Sequence, residues 1–421
     1  MEPAKIPVPP IGLTQKYPDI GTGPVSTDIY HDPAAYQKEL EAIFKRSWFM
    51  IGRVDQIPNA GDFFVYELPT FQQSVLICRD KDGNVNGFHN VCSHRGNVVE
   101  HRDSGTNRGL FMCRFHGWSY DLKGNIVRVR DEEGFFNLDK CKLALQRVPT
   151  QIWEGFIFVA PVDEPSQTLE AYLGEQGRDL VGYPWSACTQ SYQWQTEIAC
   201  NWKLAVDSPA EVYHIPILHP TSAAPTMMAS GNPYGRLLNV DIKGPHRTNS
   251  HYSVAGEPKP VQGLAYKNAA AAQNVVQETL EYAMPKGMNS TRSKYWTVDL
   301  VIFFPGLSFT ASAGMYTAHQ VWPLGPHRCL YQQRVFVRKA QNAAERFGQE
   351  NTMVEFRDVV MEDLSTLERT QRALNSGRIK QFHFHDHELA LRHQHKVVTD
   401  ILAEYDREQA KQAAAKIERI K

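Results

Sequence analysis

The chain lacks several features that would have placed it at once. No sign of charge dominates: 45 Lys and Arg face 46 Asp and Glu, a formal net charge of −1. Bulk charge therefore gives no attraction to nucleic acid or to an anionic membrane. Long apolar runs are missing too. VDLVIFFPGLSF, residues 298–309, is the longest, and Asp299, Pro305 and Gly306 interrupt it well short of the roughly 20 residues a membrane-crossing helix needs. The opening MEPAKIPVPPIGLTQKYP has no apolar core of a secretory signal, so a cytoplasmic location is expected. Cysteine is sparse and odd in number, seven in 421 residues, which argues against a disulfide framework and for a reducing compartment. Cys78, Cys141, Cys188, Cys200 and Cys329 fall in no ligand-like spacing and read as ordinary buried thiols. No dinucleotide fingerprint is present either: GTGPVS at 21–26 has no third glycine and no strand–turn–helix context.

What is present has a clear order. Four hundred residues can bury two or three cores. Residues 1–30 are irregular and rich in Pro and Gly. DPAAYQKELEAIFKRSWFMIG then offers Asp32 as an N-cap, Pro33 at the first turn and helical apolar spacing. From about 48 to 160 the pattern becomes β-rich: DFFVYEL, SVLICRD, VNGFHNV, GLFMCRF, GWSYDL, NIVRV and GFIFVAP, parted by turns such as DKDGN and LKGN. After Pro161 a short helix (SQTLEAYLGEQGRDL) leads to a strand, YQWQTEIA, and to NWKLAVDSPAEVYHIPILHP, helical in its middle. Residues 220–265 read as loops or a lid. Strands return at 295–338, and two long helices follow, AAERFGQENTMVEFRDVVMEDLSTLERTQRALNSG and ELALRHQHKVVTDILAEYDREQAKQAAAKIERIK.

The densest chemistry lies in CSHRGNVVEHRDSGTNRGLFMCRFHGW, residues 92–118. Cys92 and His94 form C-x-H; Cys113 and His116 form C-x-x-H; eighteen residues separate the pairs. A zinc clip is the rival reading, because thiolate and imidazole suit a tetrahedral Zn²⁺. Zinc fingers, however, pair Cys with Cys and His with His. Mixed pairs suit a [2Fe–2S] cluster in which two thiolates hold one iron and two imidazoles the other, each hairpin giving one ligand to each iron. Gly96 and Gly117 allow close backbone approach, and Phe115 and Trp118 can shield the cluster.

Cys92-Ser93-His94-Arg95-Gly96 and Cys113-Arg114-Phe115-His116-Gly117-Trp118, followed by Ser119-Tyr120-Asp121, resemble the Rieske motif of ring-hydroxylating oxygenase α subunits, the terminal oxygenases of Rieske non-haem iron systems. The extra cysteine pair of respiratory Rieske proteins is missing. A ferredoxin alone needs only about a hundred residues, yet this chain runs on from 161 to 421. There His214 and His219 stand five apart, and Glu211, three before His214, would share its face in a helix. Pro216 and Pro220 would distort or end that helix and swing His219 toward the same point. Two imidazoles and a carboxylate make the facial triad of non-haem Fe(II) oxygenases. H-x₄-H is weak alone, but the stretch is similar to the family's N-W-K…D-x-Y-H-x₄-H signature. The resemblance further implies an acidic ligand on a late helix in a pattern like E-D-x-x-x-x-E-x-x-Q; Asp363 stands there, before Glu368 and Gln371, with Asp358 and Glu362 as fallbacks.

The resemblance implies an α+β fold: a small all-β Rieske [2Fe–2S] domain inserted before a larger catalytic domain with a central antiparallel sheet flanked by helices, a helix-grip, START-like arrangement. Expected bounds are 1–47 for an N-terminal segment packing on the catalytic domain, 48–160 for the Rieske domain and 161–421 for the catalytic mononuclear iron domain. The implied activity is mono- or dioxygenation of an apolar, aromatic organic substrate with O₂. Sterol-like skeletons, methylated amines and a bare electron-transfer role stand as alternatives. Implied cofactors are the [2Fe–2S] cluster and a mononuclear Fe(II). Implied partners are a reductase, with or without a ferredoxin, and further copies in a homotrimer, with or without a β subunit. In such a ring, electrons pass from the cluster of one subunit to the iron of the next through a carboxylate between the two histidines. The family places Asp where Glu211 stands, and Asp207-Ser208 replaces its Glu-Asn, so the amide common near the iron is missing. Glu at 211 is similar to oxygenases of quaternary amines. Arg95, Arg102, Arg108 and Arg114 offer an acidic partner a docking face. An apolar pocket lined by Val206, Ala210, Leu218, Phe304 and Phe309 is expected, and the histidines of FHFHDHELALRHQH read as a surface or subunit-contact patch instead of a metal site.

Overall fold

Asp32 begins the first helix as the sequence predicts. Its carboxylate accepts a hydrogen bond from the Ala34 N–H at 2.8 Å, and Pro33 stands at the first turn of α1 (Pro33–Ala42), where its missing N–H costs nothing. Ahead of it come short 3₁₀ turns and a two-residue strand, β1 (Val25–Ser26). These coordinates belong to a computed structural model that describes residues 8–224, 232–252, 260–261, 263–265, 268, 284–312 and 315–420. They divide into two compact units, residues 45–172 and residues 1–44 together with 173–421. The first boundary lies near the expected 47, while the second falls at 172 instead of 160. There α2 (Leu169–Asp179) is broken at Gly174, whose φ of 54° and ψ of −143° leave the helical region.

In the smaller unit the apolar run after α1 is a strand, not more helix. β2 (Phe49–Arg53) is buried at every residue, and a run buried on both faces has no period to separate strand from helix. β3 (Asp62–Leu68), β4 (Gln73–Arg79), β5 (Val85–His89), β6 (Ser104–Thr106), β7 (Leu110–Met112), β8 (Ser119–Asp121), β9 (Ile126–Arg128), β10 (Thr150–Trp153) and β11 (Phe156–Val159) complete it. They form three antiparallel sheets in the orders β10-β11-β2, β5-β4-β3-β6 and β7-β8-β9. β6 is short and exposed throughout, β10 is short and half exposed, and their composition did not announce them. Phe63, Leu76, Phe88, Phe111, Trp118 and Tyr120 pack one core with Cys92 and Cys113, so the two cysteines are anchored where the side chains are densest.

The larger unit is built on a seven-stranded antiparallel sheet. β12 (Gln190–Ile198), β13 (Asn239–Lys243), β14 (His246–Tyr252), β15 (Trp296–Phe303), β16 (Leu307–Ala311), β17 (Met315–Gly325) and β18 (Arg328–Val337) run in the order β12-β18-β17-β16-β15-β14-β13. β13 and β14 fall where loops or a lid were expected; the parts of that expectation at 225–231 and 253–259 lie outside the described residues. The helices are α3 (Trp202–Asp207), α4 (Ile215–Leu218), α5 (Ala343–Asn375) and α6 (Leu389–Ile420). Asn342 caps α5 by accepting from the Glu345 N–H at 2.9 Å. No described helix is long and apolar enough to cross a membrane.

The two faces of this sheet differ. One carries Phe303, Phe309, Tyr316 and Phe336, with Trp185 packed 5.1 Å from Phe309 and 4.8 Å from Tyr316 between ring centres. Phe309 therefore belongs to an aromatic core on the side away from α3, and it does not line a pocket near the histidines. The other face turns toward α3, α5 and α6. Strand register sets across it one row of Arg247, Ile302, Ser308, His319, Gln333 and Trp194, and a second of Asn249, Leu300, Thr310, Thr317, Val335 and Tyr192.

The histidine-rich stretch before α6 acts as a set of staples. His387 Nδ1 accepts from the Leu237 N–H at 2.9 Å and its Nε2 lies 3.1 Å from the Pro10 carbonyl oxygen; His393 Nε2 reaches Gly244 O at 3.0 Å and His395 Nε2 reaches Ser26 O at 2.9 Å. His387 and His393 of the expected surface or subunit-contact patch are thus buried in an internal seam, while His383 is exposed. A two-residue strand, β19 (Gln381–Phe382), pairs with β1 beside it. Asp386 fastens the same seam by accepting from the N–H groups of Gly12, Leu13 and Thr14 at 2.7, 2.8 and 2.9 Å. Burial works to raise the Asp386 pKa, but these backbone bonds outweigh it and pull it to about 2. A carboxylate depressed on folding stabilises above its unfolded pKa, and that stability is lost as pH falls through the folded value. Asp386→Ala is therefore expected to cost about 1–2 kcal/mol at neutral pH and to expose Lys16 to faster tryptic cleavage. The difference from wild type, read by denaturant unfolding, should shrink as pH falls from about 4 toward 2.

Candidate metal centres

Two loops of the smaller unit repeat one device. The Gly96 N–H bonds the Cys92 carbonyl at 3.0 Å, and the Gly117 N–H bonds the Cys113 carbonyl at 2.9 Å. Both glycines have positive φ, 74° and 78°. A Cβ at either would meet nothing within 4 Å, so the requirement for glycine is conformational and not one of space. Each loop thereby turns a cysteine inward and a histidine outward. Cys92 and Cys113 are buried, while His94 and His116 are half exposed. The two Nδ1 atoms face each other at 3.1 Å, and the His94 ring stacks on Trp118 with centres 4.7 Å apart. Burial raises the Cys92 thiol, and the neighbouring Cys113 thiol adds to it, against Tyr120, whose hydroxyl lies 3.2 Å from Cys92 Sγ. Asn97 points its amide at Cys113 Sγ from 3.7 Å. Paired thiols within and paired imidazoles without are the donor set that two irons of one [2Fe–2S] cluster require. The flanking arginines differ in freedom: Arg102 is committed to Glu100 at 2.8 Å, whereas Arg95, Arg108 and Arg114 are exposed.

In the larger unit, the segment after α3 does not stay helical through Glu211. Ser208–Ala210 tightens into a 3₁₀ turn with Pro209 in its first positions, and Glu211 is extended at φ −147°, ψ 166°. Pro216 then opens the single-turn α4. The shared helical face expected for Glu211 and His214 is absent, because each proline withholds an N–H from a continuing helix. The two residues meet nonetheless. Glu211 Oε2 accepts from the backbone N–H groups of Tyr213 and His214, and its Oε1 holds His214 Nδ1.

His219 is oriented in the same manner from a different element. Its Nδ1 lies 2.6 Å from Glu362 Oε2, which also accepts from Ser222 Oγ at 2.6 Å. A carboxylate only accepts, so both histidines carry hydrogen on Nδ1 and turn the Nε2 lone pair away from it. Both lone pairs turn to one atom. Asp363 Oδ1 lies 3.2 Å from His214 Nε2 and 3.0 Å from His219 Nε2. Three acceptors facing one another repel unless a cation lies among them. Among the described residues, His214, His219 and Asp363 are the group of three whose ligand atoms all fall within 4.8 Å of one another. A proton can serve in part: burial lowers the His214 pKa, but the bonds from Asp363 and Glu211 override it and raise it to about 10. Burial would likewise raise Asp363, yet His214 and His219 hold it low. A divalent ion satisfies all three at once, and the Nδ1–carboxylate pairs are the usual support of metal-bound histidine.

Asp363 thus joins the two histidines as expected, and the fallbacks separate. Asp358 is exposed and paired with Arg357, while Glu362 orients His219. The sequence reading missed that role, since Glu362 sits next to Asp363 in a charged helix and offers no spacing signal. Asp207 does not replace the family's Glu-Asn at the triad. It accepts from Tyr30 OH at 2.9 Å and Gln394 Nε2 at 2.8 Å, and burial, with Arg247 opposing, raises its pKa to about 7. Val206, Ala210 and Phe304 are buried, whereas Leu218 is half-buried. Cys141, expected to be buried, is exposed, and the other unassigned cysteines are buried and not joined in disulfides.

Comparison with known proteins agrees with this geometry. The chain matches the family model "Ring hydroxylating alpha subunit (catalytic domain)" over residues 186–404 and the model "Rieske [2Fe-2S] domain" over residues 47–144. It is 36% identical over 204 residues to biphenyl 2,3-dioxygenase subunit alpha of Rhodococcus jostii (strain RHA1), covering 47% of this chain and 43% of that protein. It is 31% identical over 206 residues to the chloroplastic choline monooxygenase of Arabidopsis thaliana, covering 45% and 47%. The chain spans about half the length of the curated relatives it matches. Among solved structures, naphthalene 1,2-dioxygenase from Rhodococcus sp. bound to indole superposes with a TM-score of 0.72 at 21% identity, covering 93% of this chain and 96% of that one. A quaternary ammonium Rieske monooxygenase gives 0.70 at 18%, covering 90% and 96%. These likenesses extend to the fold, an all-β Rieske domain followed by a catalytic domain of antiparallel sheet and helices. On the family models and the residues that carry them, the chain belongs to the ring-hydroxylating oxygenase alpha subunits, a family whose Rieske domain holds a [2Fe–2S] cluster and whose catalytic domain holds a mononuclear iron.

Proposed function

We propose that this chain is the terminal oxygenase of a Rieske non-haem iron system and incorporates oxygen from O₂ into an organic substrate. The observation that carries the reading is the convergence of His214 Nε2, His219 Nε2 and Asp363 Oδ1 in a chain that also bears the two Cys/His loops. In this reading Cys92 and Cys113 hold one iron of the cluster, His94 and His116 hold the other, and His214, His219 and Asp363 hold iron(II). Bound there, the iron supplies the place where O₂ is activated, and the cluster supplies electrons singly. The protein's part is positioning. Glu211 and Glu362 fix the rings of His214 and His219 so that both Nε2 lone pairs point inward. Three protein ligands leave positions open for O₂ and substrate.

Electrons come from a separate reductase, directly or through a ferredoxin, with exposed Arg95, Arg108 and Arg114 as a docking face for an acidic donor. The chain works as a multimer, and we take the homotrimer as its form. Glu211 is then the carboxylate between the iron-ligand His214 of one subunit and the cluster His116 of a neighbour.

Three outcomes test this. His214→Ala and Asp363→Ala should each abolish substrate oxidation with a surrogate reductase while leaving the dithionite-reduced Rieske EPR signal and the two acid-labile sulfides per chain; persistent oxidation would remove these residues from the site. Glu362→Ala should weaken iron retention against a chelator about 10–100-fold, with cluster content unchanged, and Glu362→Gln should restore most of it because its amide oxygen still accepts from Nδ1–H. Glu211→Gln should keep both metals and slow cluster-to-iron electron transfer in single-turnover measurements.

A further inference from the structure

β14 is the most polar fully buried strand of the sheet. All seven residues of HRTNSHY are buried. Alternation along the strand sends Arg247, Asn249 and His251 to the face turned toward α3 and α6. Arg247 is taken up there in part: its Nη2 donates to Gln394 Oε1 and the Asp207 carboxylate lies beside it, while its Nε and Nη1 have no hydrogen-bond partner among the described residues. The other two are engaged less still. Asn249 is fully buried, and its Nδ2 lies 2.6 Å from the Ala210 carbonyl oxygen at the turn leading to Glu211 and His214. A carbonyl only accepts, so the amide orientation is fixed and Asn249 Oδ1 faces the other way. That oxygen has no partner among the described residues. His251, only 8% exposed, has a partner for neither Nδ1 nor Nε2 among them.

Buried polar atoms without partners are rare, because each forfeits its hydration. Asn249 Oδ1 and both ring nitrogens of His251 lie on one face, two residues apart, where the strand meets the turn leading to His214, and Arg247 Nε and Nη1 are unpartnered on the same face. A buried imidazole with no charged hydrogen-bond partner among the described residues is neutral and offers one donor and one acceptor. Asn249 Oδ1 adds a second acceptor.

We propose that Asn249 and His251 anchor the substrate beside the triad, and that the substrate carries a neutral group that both donates and accepts hydrogen bonds, a hydroxyl or an N–H amide. This rests on the oxygenase reading above and names what that site takes. A plain hydrocarbon would leave all three atoms unpaired. A quaternary ammonium has no hydrogen to give Asn249 Oδ1, and a carboxylate would set its own oxygens against it.

The test is a matched aromatic set, measured anaerobically by calorimetry on the iron- and cluster-loaded protein: 2-naphthol, 2-acetamidonaphthalene, naphthalene and 2-naphthoate. The hydroxyl or the amide should bind at least about tenfold more tightly than the hydrocarbon and the carboxylate, a factor one well-made hydrogen bond carries, and the two arms tell hydroxyl from amide. His251→Leu should collapse the preference to within about twofold, and His251→Gln, which keeps a donor and an acceptor, should retain most of it. Naphthalene or naphthoate binding as tightly as the other two, no binding by either the hydroxyl or the amide, or a preference that survives His251→Leu, would overturn the proposal. Turnover separates this from the reading beneath it. Oxidised product from the set without the preference leaves the oxygenase reading standing alone; the preference without product from any member leaves the anchoring pair and removes the oxygenase.

Discussion

The site in the larger unit answers to one electrostatic constraint: two imidazole nitrogens must face one carboxylate oxygen at about 3 Å, all three of them hydrogen-bond acceptors. Nothing local favours that. It is held from behind, because each imidazole has committed its other nitrogen to a carboxylate, His214 to Glu211 and His219 to Glu362. The chain geometry follows from the need to bring these groups together. Pro209 and Pro216 break what would have been one helix, so that a five-residue spacing can turn two rings to one point. Glu362 and Asp363 are consecutive on α5, about 100° apart around it. One helix thus delivers a ligand to the centre and a support to the ring beside it.

That arrangement needs a rigid frame, and the frame is unusually charged. Lys203 and Glu39 are both fully buried and paired; Trp202 Nε1 donates to the same Glu39 at 2.7 Å. Asp207, Tyr30, Gln394 and Arg247 continue the network. It ties α1, α3, α6 and β14 to one another. Buried ion pairs are weak sources of stability, since desolvation offsets most of their attraction. Removing one partner, however, strands the other, so such a network admits few alternative packings. Asp386 and the histidines around α6 extend the same logic to residues 10–26, which have too little apolar surface to hold themselves in place.

Legibility from sequence followed how far chemistry restricts residue type. A cluster with two soft and two imidazole ligands admits only Cys and His, and tight loops around it need glycine at positive φ, so residues 92–118 were readable almost atom for atom. His214 and His219 were readable as a pair and acquired meaning from what precedes them. Asp363 could be named only through the family resemblance, because a ligand carboxylate and a solvated one look alike on a charged helix. Glu362 could be named only as a fallback ligand, and its place behind His219 not at all. β2 was taken for helix because burial on both faces erases its period. β14 was taken for loop because its composition is that of a loop.

The misreading of β14 has a physical cause that bears on specificity. A buried strand is recognised by apolar residues, since burying polar ones costs free energy unless they find partners. HRTNSHY breaks that expectation next to the edge strand of a sheet whose other face is an aromatic core. Arg247 meets part of the cost through Gln394 and the charge of Asp207. Asn249 and His251 meet it only in part within the described chain. Selection for stability alone would favour valine or leucine at 251, and at 249 it would set the lost bond to the Ala210 carbonyl against the unpaired Oδ1. Polar side chains persist at such a place when something that comes and goes completes their hydrogen bonds. On that view the ligand motifs specify that oxygen chemistry takes place, and they are shared across a family with very different substrates. The proposed determinant of the substrate lies on the inner face of the sheet, in residues whose pattern reads as a loop until the fold gathers them.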